Sequence, residues 1–179
     1  LIIQKERTFM KFNNIIKNMY RNIIFSKSVI SHKFRIPSNY NDTSTDFVNN
    51  NNLSSTTKYL IWVDTNNFQV NIFSGSKNNW KLVKNYICSI GKPSTPTPLG
   101  TFKVGAKGFS FGENHGYICY YYTQFKGNYL FHSIIYNLDN TIRYGRLGYK
   151  ISDGCIRLAK VNAKWIYDNI PYGTTVFIS

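Results

Sequence analysis

One cysteine lies in a sequence setting typical of a nucleophile. The octet "ISDGCIRL" (residues 151–158) places Cys155 directly after Gly154 and Asp153, with Arg157 two residues further on. A thiol attacks as its thiolate, and an ordinary cysteine with a pKa of about 8.5 is mostly protonated at neutral pH. Gly154 would give a substrate access and would permit a sharp turn whose N–H groups face an oxyanion. By itself the octet fits a nucleophile turn and equally a buried cysteine after a common Asp-Gly turn.

An activating base would have to be one of three histidines. His32 precedes the predicted domain, and His115 lies in the glycine-rich stretch "GAKGFSFGENHG". His132 lies in "NYLFHSIIY", a β-prone run, and a fixed strand position suits a general base better than a loop. His132 is therefore the candidate base, although a histidine in an apolar strand is more often a core residue.

The other two cysteines, Cys88 and Cys119, are interpreted as core residues. Three cysteines allow at most one disulfide, so at least one thiol is free. His115, Cys119 and Cys155 together raise the question of a zinc site. In a β-prone context the four-residue step between the first two puts them on no common helical face, so no metal site and no cofactor is predicted.

Short strands dominate the sequence after residue 57. "KYLIWVDT", "NNFQVNIFSG" and "WKLVKNYICSIG" predict an antiparallel meander, with alternating apolar residues in the second run. "YICYYYTQF" and "NYLFHSIIY", joined by "KGN", predict a hairpin whose tyrosines pack the sheet. "GKPSTPTPLGTFKV" (91–104) predicts a stiff, extended loop entering a strand. The glycine-rich stretch after it is interpreted as a mobile loop and a candidate lid.

One short helix is expected near the C-terminal end. Val161, Trp165, Ile166 and Ile170 recur at helical spacing in "AKVNAKWIYDNI", with Cys155 just before it. A proline and a glycine follow, and "TTVFIS" predicts a closing strand. The fold class is therefore mainly β with one short α-helix.

Residues 1–57 are interpreted as a partly disordered N-terminal extension, and residues 58–179 as the folded domain. "SNYNDTSTDFVNNNNLSSTT" (38–57) is polar and predicts a linker. The first residue is Leu1, so the chain is interpreted as a fragment whose missing part can carry an anchor or further domains. Basic residues interrupt the apolar run near the start, so no signal peptide is predicted.

The net charge of +14 favours polyanionic surroundings, whether nucleic acid, acidic lipid or a phosphate-rich cell wall. No segment approaches the roughly 18 apolar residues of a membrane helix. The charge is diffuse, and no recognised nucleic-acid motif accompanies it. A basic nucleic-acid or wall-binding module stays an alternative to an enzyme.

Four segments in order resemble a known enzyme domain. "GKPSTPTPLGTF", "FHS", "RLGYK" and "SDGCIRL" are similar to the motifs of the L,D-transpeptidase catalytic domain, the YkuD-type family. The resemblance covers residues 58–179 and implies a mainly β, sandwich-like fold with a short helix. It implies that Cys155 is the nucleophile, that His132 is its base, and that the Ser133 carbonyl orients the imidazole. The remaining motif positions are Ser152, Gly154 and Arg157.

Asp153 departs from the family pattern, which has histidine there. A carboxylate beside Cys155 disfavours the thiolate, and we expect Arg157 or the N-terminus of the following helix to offset it. The family's base is the upstream histidine, kept here as His132. The catalytic pair is therefore preserved, although an inactive wall-binding relative stays an alternative.

The resemblance implies a peptidoglycan L,D-transpeptidase. Cys155 would attack the bond before the terminal D-Ala of a tetrapeptide stem, with the N–H groups of Gly154 and Cys155 as oxyanion donors. The thioacyl-enzyme would pass to an amine of a second stem, giving a 3→3 cross-link, or to water, giving an L,D-carboxypeptidase. Arg157 would hold a stem carboxylate or brace the turn. The implied partners are stem peptides and anionic wall polymers, and the implied location is extracytoplasmic, in the wall or at the membrane.

Overall fold

Strands are the most common secondary structure of the described chain. The computed structural model describes residues 36–179, which form one compact unit. Two α-helices are present in this part, α1 (Tyr40–Asn50) and α2 (Lys160–Asn169), with a 3-10 turn at Glu113–His115. The strands are β1 (Tyr59–Asp64), β2 (Gln69–Ser76), β3 (Asn79–Gly91), β4 (Gly100–Lys103), β5 (Lys107–Phe111), β6 (Cys119–Lys126), β7 (Tyr129–Ser133), β8 (Ile135–Tyr136), β9 (Ile142–Tyr144), β10 (Lys150–Ser152), β11 (Ile156–Leu158) and β12 (Thr175–Ile178).

One curled ten-stranded sheet organises the fold. Its order is β4-β12-β1-β2-β3-β11-β7-β6-β5, with β10 paired to β3 off this path, while β8 and β9 form a separate pair. β1, β2 and β3 pair antiparallel in succession, and β6 and β7 form the expected hairpin. The predicted mainly β fold with a short helix near the C-terminal end is confirmed.

Two apolar clusters lie on opposite faces of the sheet. Side chains alternate along a strand, so Ile61 and Val63 of β1 join one cluster while Leu60 and Trp62 join the other. Helix α2 covers the larger cluster with residues such as Ile166. All but the first residue of β1 are buried, because both faces of this central strand are covered.

The prediction of a linker at residues 38–57 is wrong for helix α1. Tyr40, Ser44 and Val48, spaced by four residues, are buried, and Val48 packs into the cluster of Trp62 and Trp80. This helix covers the second face of the sheet. The helical spacing was not recognised in the sequence because the segment is polar overall and a serine occupies the middle position of the buried stripe. The rest of the predicted extension, residues 1–35, lies outside the described residues.

An asparagine fastens α1 to the sheet. The Asn49 side chain donates to the Trp80 carbonyl at 3.1 Å and accepts the Trp80 N–H at 2.8 Å. At the other end of the helix, the Tyr40 hydroxyl donates to the buried Asp64 carboxylate at 2.9 Å. Burial, with the Asp64 charge adding, raises the pKa of Tyr40. The helix is thus held by paired polar groups as well as by apolar packing.

The glycine-rich stretch predicted as a mobile loop contains strand β5, which pairs with β6. Lys107 at the start of β5 reaches the C-terminal end of α2 and donates to the carbonyls of Tyr167 (2.6 Å) and Ile170. A cation at this end of a helix satisfies its last carbonyls and interacts favourably with the helix dipole. Burial lowers the pKa of Lys107, with Asp168 opposing. This stretch is therefore anchored at its start, which corrects the prediction.

Helix α2 ends as predicted, ahead of Pro171 and Gly173. Strand β11 lies between Cys155 and this helix, so Cys155 does not directly precede it, as the sequence suggested. Across residues 36–179 we find no helix with the length and apolar character needed to span a membrane.

Candidate active site

The pairing of β7 with β11 brings the candidate base and nucleophile to the same part of the sheet. The strands are parallel neighbours, and His132 is paired with Arg157. Paired residues point to the same face, and residues two apart along a strand also share a face. Cys155 immediately precedes β11 and is two residues from Arg157, so continued alternation would place its side chain on the face that carries His132.

Cys155 is the one cysteine of the described chain with partial exposure. Cys88 and Cys119 are buried, at 0% and 1% exposure, in β3 and β6. Burial raises the pKa of Cys119 to about 12, with Arg157 opposing, which keeps this thiol protonated. The two buried cysteines therefore act as core residues.

A hydroxyl and a glycine shape the turn before Cys155, the candidate nucleophile. The Ser152 hydroxyl donates to the Cys155 carbonyl at 2.6 Å and accepts the Gly154 N–H at 3.1 Å. Gly154 has φ +106°, and a Cβ there would lie 2.4 Å from the Tyr129 ring, so only glycine fits. Because the Gly154 N–H is already bonded, it is not the oxyanion donor that the sequence suggested. The Cys155 N–H is the remaining candidate in this turn.

The proline-rich loop after β3 braces this turn. The Lys92 N–H donates to the Ser152 carbonyl at 2.8 Å, and the Thr95 hydroxyl is 3.3 Å from the same oxygen. The buried Thr97 hydroxyl donates to the Gly154 carbonyl at 2.8 Å and accepts the Gly91 N–H at 2.9 Å. The sequence analysis missed Thr97, although a threonine between two prolines in a loop bearing family motifs was the available signal.

The imidazole of His132 is buried and held in one tautomer. Its Nδ1 lies 2.7 Å from the Ser133 carbonyl, the contact that the resemblance implied. A carbonyl only accepts, so Nδ1 carries the proton and Nε2 presents a lone pair. The Phe111 ring packs edge-on, 5.2 Å between centroids.

The electrostatic surroundings keep His132 neutral. Burial lowers its pKa to about 4; the Ser133 carbonyl opposes this shift, and the Arg157 cation adds to it. A neutral imidazole is the form that accepts a proton, so His132 is in the state of a general base at neutral pH.

The thiol of Cys155 is also neutral at rest. Burial raises its pKa, and Asp153 adds to this, while the Leu130 backbone and the Arg157 cation oppose it. The thiol donates to the Asn128 carbonyl, with Sγ and O 3.6 Å apart. The expected offset by Arg157 is therefore present but incomplete. In this arrangement the thiol would lose its proton as the sulfur begins to attack, not beforehand.

Asp153 is paired with a lysine that the sequence analysis did not identify. Its carboxylate lies 2.6 Å from Lys92 Nζ, and its side chain is 75% exposed. Lys92 chiefly holds the pKa of Asp153 below its usual value. The expected offset by the helix N-terminus is wrong, because β11 separates the turn from Lys160 at the start of α2.

Arg157 is half-buried beside His132, and its Nε is a buried donor without a hydrogen-bond partner among the described residues. An unpaired buried donor costs about 1–3 kcal/mol. This arrangement suits an oxygen acceptor supplied by a ligand.

Within residues 36–179, no three His, Cys, Asp or Glu side chains converge in a way that would hold a metal ion.

Comparisons of the sequence with known proteins point to one family. A sequence model of the L,D-transpeptidase catalytic domain, YkuD, matches residues 58–178. YciB of Bacillus subtilis, which bears a provisional L,D-transpeptidase name, is 35% identical over 131 residues, or 66% of each chain. L,D-transpeptidase 1 of Mycobacterium tuberculosis is 28% identical over 120 residues, covering 58% of this chain and 45% of its own.

Solved structures show the same fold. A fused Zn-dependent amidase/peptidase/peptidoglycan-binding domain-containing protein from Clostridium acetobutylicum superposes with a TM-score of 0.68 at 42% identity, covering 78% of this chain and 59% of that one. An L,D-transpeptidase from Mycobacterium smegmatis shares the fold, with a TM-score of 0.53 at 23% identity, over 68% and 58% of the two chains.

The chain thus spans 66% of YciB and 59% of the Clostridium protein. The family match covers most of the described residues, including every motif residue of the candidate site. The chain belongs to the YkuD family of L,D-transpeptidase catalytic domains.

Proposed function

We propose that the protein is a cysteine-dependent peptidoglycan L,D-transpeptidase. One observation supports the proposal beyond family membership. The partly exposed Cys155 precedes β11, and the neighbouring strand β7 carries His132. This histidine is buried and neutral, and the Ser133 carbonyl fixes its ring. A thiol, an oriented neutral base and a glycine turn are what acyl transfer through a thioester requires.

The first half-reaction acylates the enzyme. Cys155 Sγ bonds to the carbonyl carbon before the terminal D-Ala of a tetrapeptide stem, and its proton passes to His132 Nε2. The Cys155 N–H donates to the resulting oxyanion. The C–N bond then breaks, the imidazolium returns its proton to the departing amine, and D-Ala leaves a thioester behind.

The second half-reaction transfers the acyl group. The side-chain amine of the diamino acid in a second stem attacks the thioester and gives up a proton to His132. The C–S bond breaks, and the sulfur recovers the proton, which leaves a 3→3 cross-link. Water in place of the amine makes the same site an L,D-carboxypeptidase, the second candidate function, because the same thioester and the same base serve either acceptor.

Arg157 would bind a carboxylate or carbonyl of the donor stem. Its support is the unpaired Nε and its place beside His132 on the paired strands. A guanidinium binds carboxylates with several fixed donors. Its cation also opposes the burial that raises the Cys155 pKa, so it serves the nucleophile as well.

The proposed place of action is the cell wall, outside the cytoplasmic membrane. Stem peptides are the proposed substrates, and anionic wall polymers are proposed as surroundings that suit a net charge of +14. This assignment follows from the substrate class.

Purified tetrapeptide stems and mass spectrometry test the function. A stem dimer one D-Ala lighter than the sum of two stems supports the transpeptidase, and trimmed stems without dimer support the carboxypeptidase. Cys155→Ala should abolish both products and the acyl adduct on the protein. Cys119→Ala, which removes a buried thiol, should retain them. An inert wild-type protein would favour the alternative of a wall-binding module.

A further inference from the structure

A buried hydroxyl links the proline-rich loop to the peptide bond before the nucleophile. Thr97 is 5% exposed, and its hydroxyl accepts the Gly91 N–H at 2.9 Å and donates to the Gly154 carbonyl at 2.8 Å. Both hydrogen-bonding directions are used, so the orientation of the hydroxyl is determined. A Cβ built on Gly154 would also lie 3.3 Å from the Pro96 carbonyl oxygen, so the loop lies close to the turn.

The carbonyl that Thr97 holds belongs to the same peptide unit as the Cys155 N–H. The described chain has no cis peptide bond, so this unit is trans and planar. In a trans unit the C=O and the N–H point in opposite directions. Fixing the Gly154 oxygen toward the buried loop therefore directs the Cys155 N–H away from it.

The Cys155 N–H is also the donor that the turn has left for a substrate, because the Gly154 N–H is bonded to Ser152. A hydrogen bond to the carbonyl end polarises a peptide unit and strengthens its N–H as a donor. Thr97 thus both orients the Cys155 N–H and strengthens it as a hydrogen-bond donor.

We propose that Thr97 is a positioning residue for the oxyanion hole. It touches neither substrate nor sulfur, and it sets the peptide plane whose N–H stabilises the tetrahedral intermediate. The proposal rests on the proposed function in one respect, the role of Cys155 as the nucleophile. It does not depend on the substrate being a peptidoglycan stem.

Two reactions of the same sulfur separate this role from simple bracing of the loop. Iodoacetamide alkylates the thiolate by displacing iodide, and no oxyanion forms. p-Nitrophenyl acetate acylates the thiol through a tetrahedral oxyanion: the S–C bond forms, the C–O bond breaks, nitrophenolate leaves and the thiol proton is released. Only the second reaction uses the Cys155 N–H as an oxyanion donor.

Thr97→Val removes the hydroxyl and nearly preserves volume. Loss of an oxyanion donor slows acyl transfer about 10²- to 10³-fold, so a misdirected donor should slow acylation by about ten-fold or more. Alkylation should stay within about two-fold over the whole pH range, since the thiol itself is unchanged. Thr97→Ser, which restores the hydroxyl, should restore acylation.

Thr123→Val is the matched control. Thr123 is a buried threonine in β6 whose hydroxyl has no hydrogen-bond partner among the described residues. The same change of side chain there should leave both reactions unaltered. If the second methyl group of valine prevents folding at position 97, Thr97→Ala removes the same hydroxyl and the same comparison applies.

If Thr97→Val lowers the rates of alkylation and acylation equally, the residue only braces the loop and the proposal is overturned. An unchanged acylation rate in the folded Thr97→Val protein would also overturn it. Failure of Thr97→Ser to recover acylation would also contradict it. A wild-type protein that the ester acylates at Cys155 but that ignores stems would refute the proposed substrate and leave the Thr97 test intact. A wild-type Cys155 that the ester does not acylate would overturn both.

Discussion

At the scale of single residues, the site combines a neutral thiol with a neutral imidazole. Burial is the largest cause of both pKa shifts, raising that of Cys155 and lowering that of His132. A resting thiolate–imidazolium pair is therefore disfavoured, and in the proposed mechanism proton transfer accompanies attack on the substrate. A protonated thiol is also less open to oxidation, because the thiolate is the reactive form.

Alkylation of Cys155 by iodoacetamide should rise with pH along a curve whose midpoint lies above the ordinary thiol value, because burial raises the pKa. Asp153→Asn should move the midpoint to lower pH, since it removes a carboxylate that disfavours the thiolate. Rates measured by mass spectrometry at a series of pH values give both curves. Asp168→Asn, remote on α2, should match wild type, and a wild-type midpoint below the ordinary value would contradict the burial argument.

The buried imidazole should make stability fall in weak acid. The pKa of His132 is about 4 in the folded protein against 6.5 for the ordinary side chain. Between these values the unfolded chain binds a proton that the folded chain does not, so stability decreases as pH falls through this window. The total effect is roughly 3 kcal/mol.

Urea unfolding of wild type and of His132→Gln at pH 7 and pH 4 measures this effect. The variant should lose less stability than wild type over the interval, and His115→Gln, which changes an exposed histidine, should behave as wild type. Parallel losses in wild type and His132→Gln would show that the imidazole is not buried as described.

At the scale of elements, a helix of polar composition completes the fold. Helix α1 covers the face of β1 that carries Leu60 and Trp62. Without it, an apolar face next to the central strand would meet solvent, and exposed faces of this kind promote association.

Val48→Ala tests whether α1 is part of the folded domain. The side chain is 0% exposed, and its truncation should lower the free energy of unfolding by about 2 kcal/mol. Thr45→Ala, on the same helix, changes a side chain whose hydrogen bond to Asn41 is exposed, and should have little effect. Denaturant unfolding measures both, and equal small effects would indicate that residues 40–50 act as a linker after all.

The sequence indicated the strands, α2 and the motif residues because period-two patterns and contiguous motifs are local signals. It concealed α1, whose buried stripe includes a serine, since helix prediction depends on apolar spacing. Thr97 and Lys92 were missed for another reason. Their contacts with the turn before Cys155 join segments distant in the chain, so the motif that contains both residues marked the loop without showing which residues it contacts.

At the scale of the whole molecule, the excess of positive charge should govern association with polyanions. Binding to an anionic polymer such as teichoic acid should weaken steeply as salt is raised from 0.05 to 0.5 M, roughly the range in which screening shortens from above 10 Å to a few Å. Cys155→Ala should bind as wild type does, because the charge is unchanged. Sedimentation with the polymer at several salt concentrations measures this, and salt-independent binding would contradict an electrostatic origin.

The parallel pairing of β1 with β12 has a kinetic consequence. Leu60 pairs with Thr175, so two neighbouring interior strands of the sheet come from opposite ends of the domain sequence. Bringing such distant segments together costs the entropy of closing the intervening chain before their contacts stabilise the fold. Folding is therefore slow. Until β12 inserts between β1 and β4, both of these strands keep an unpaired edge. Refolding should therefore compete with aggregation, and dilute, cool conditions should favour recovery of the native protein.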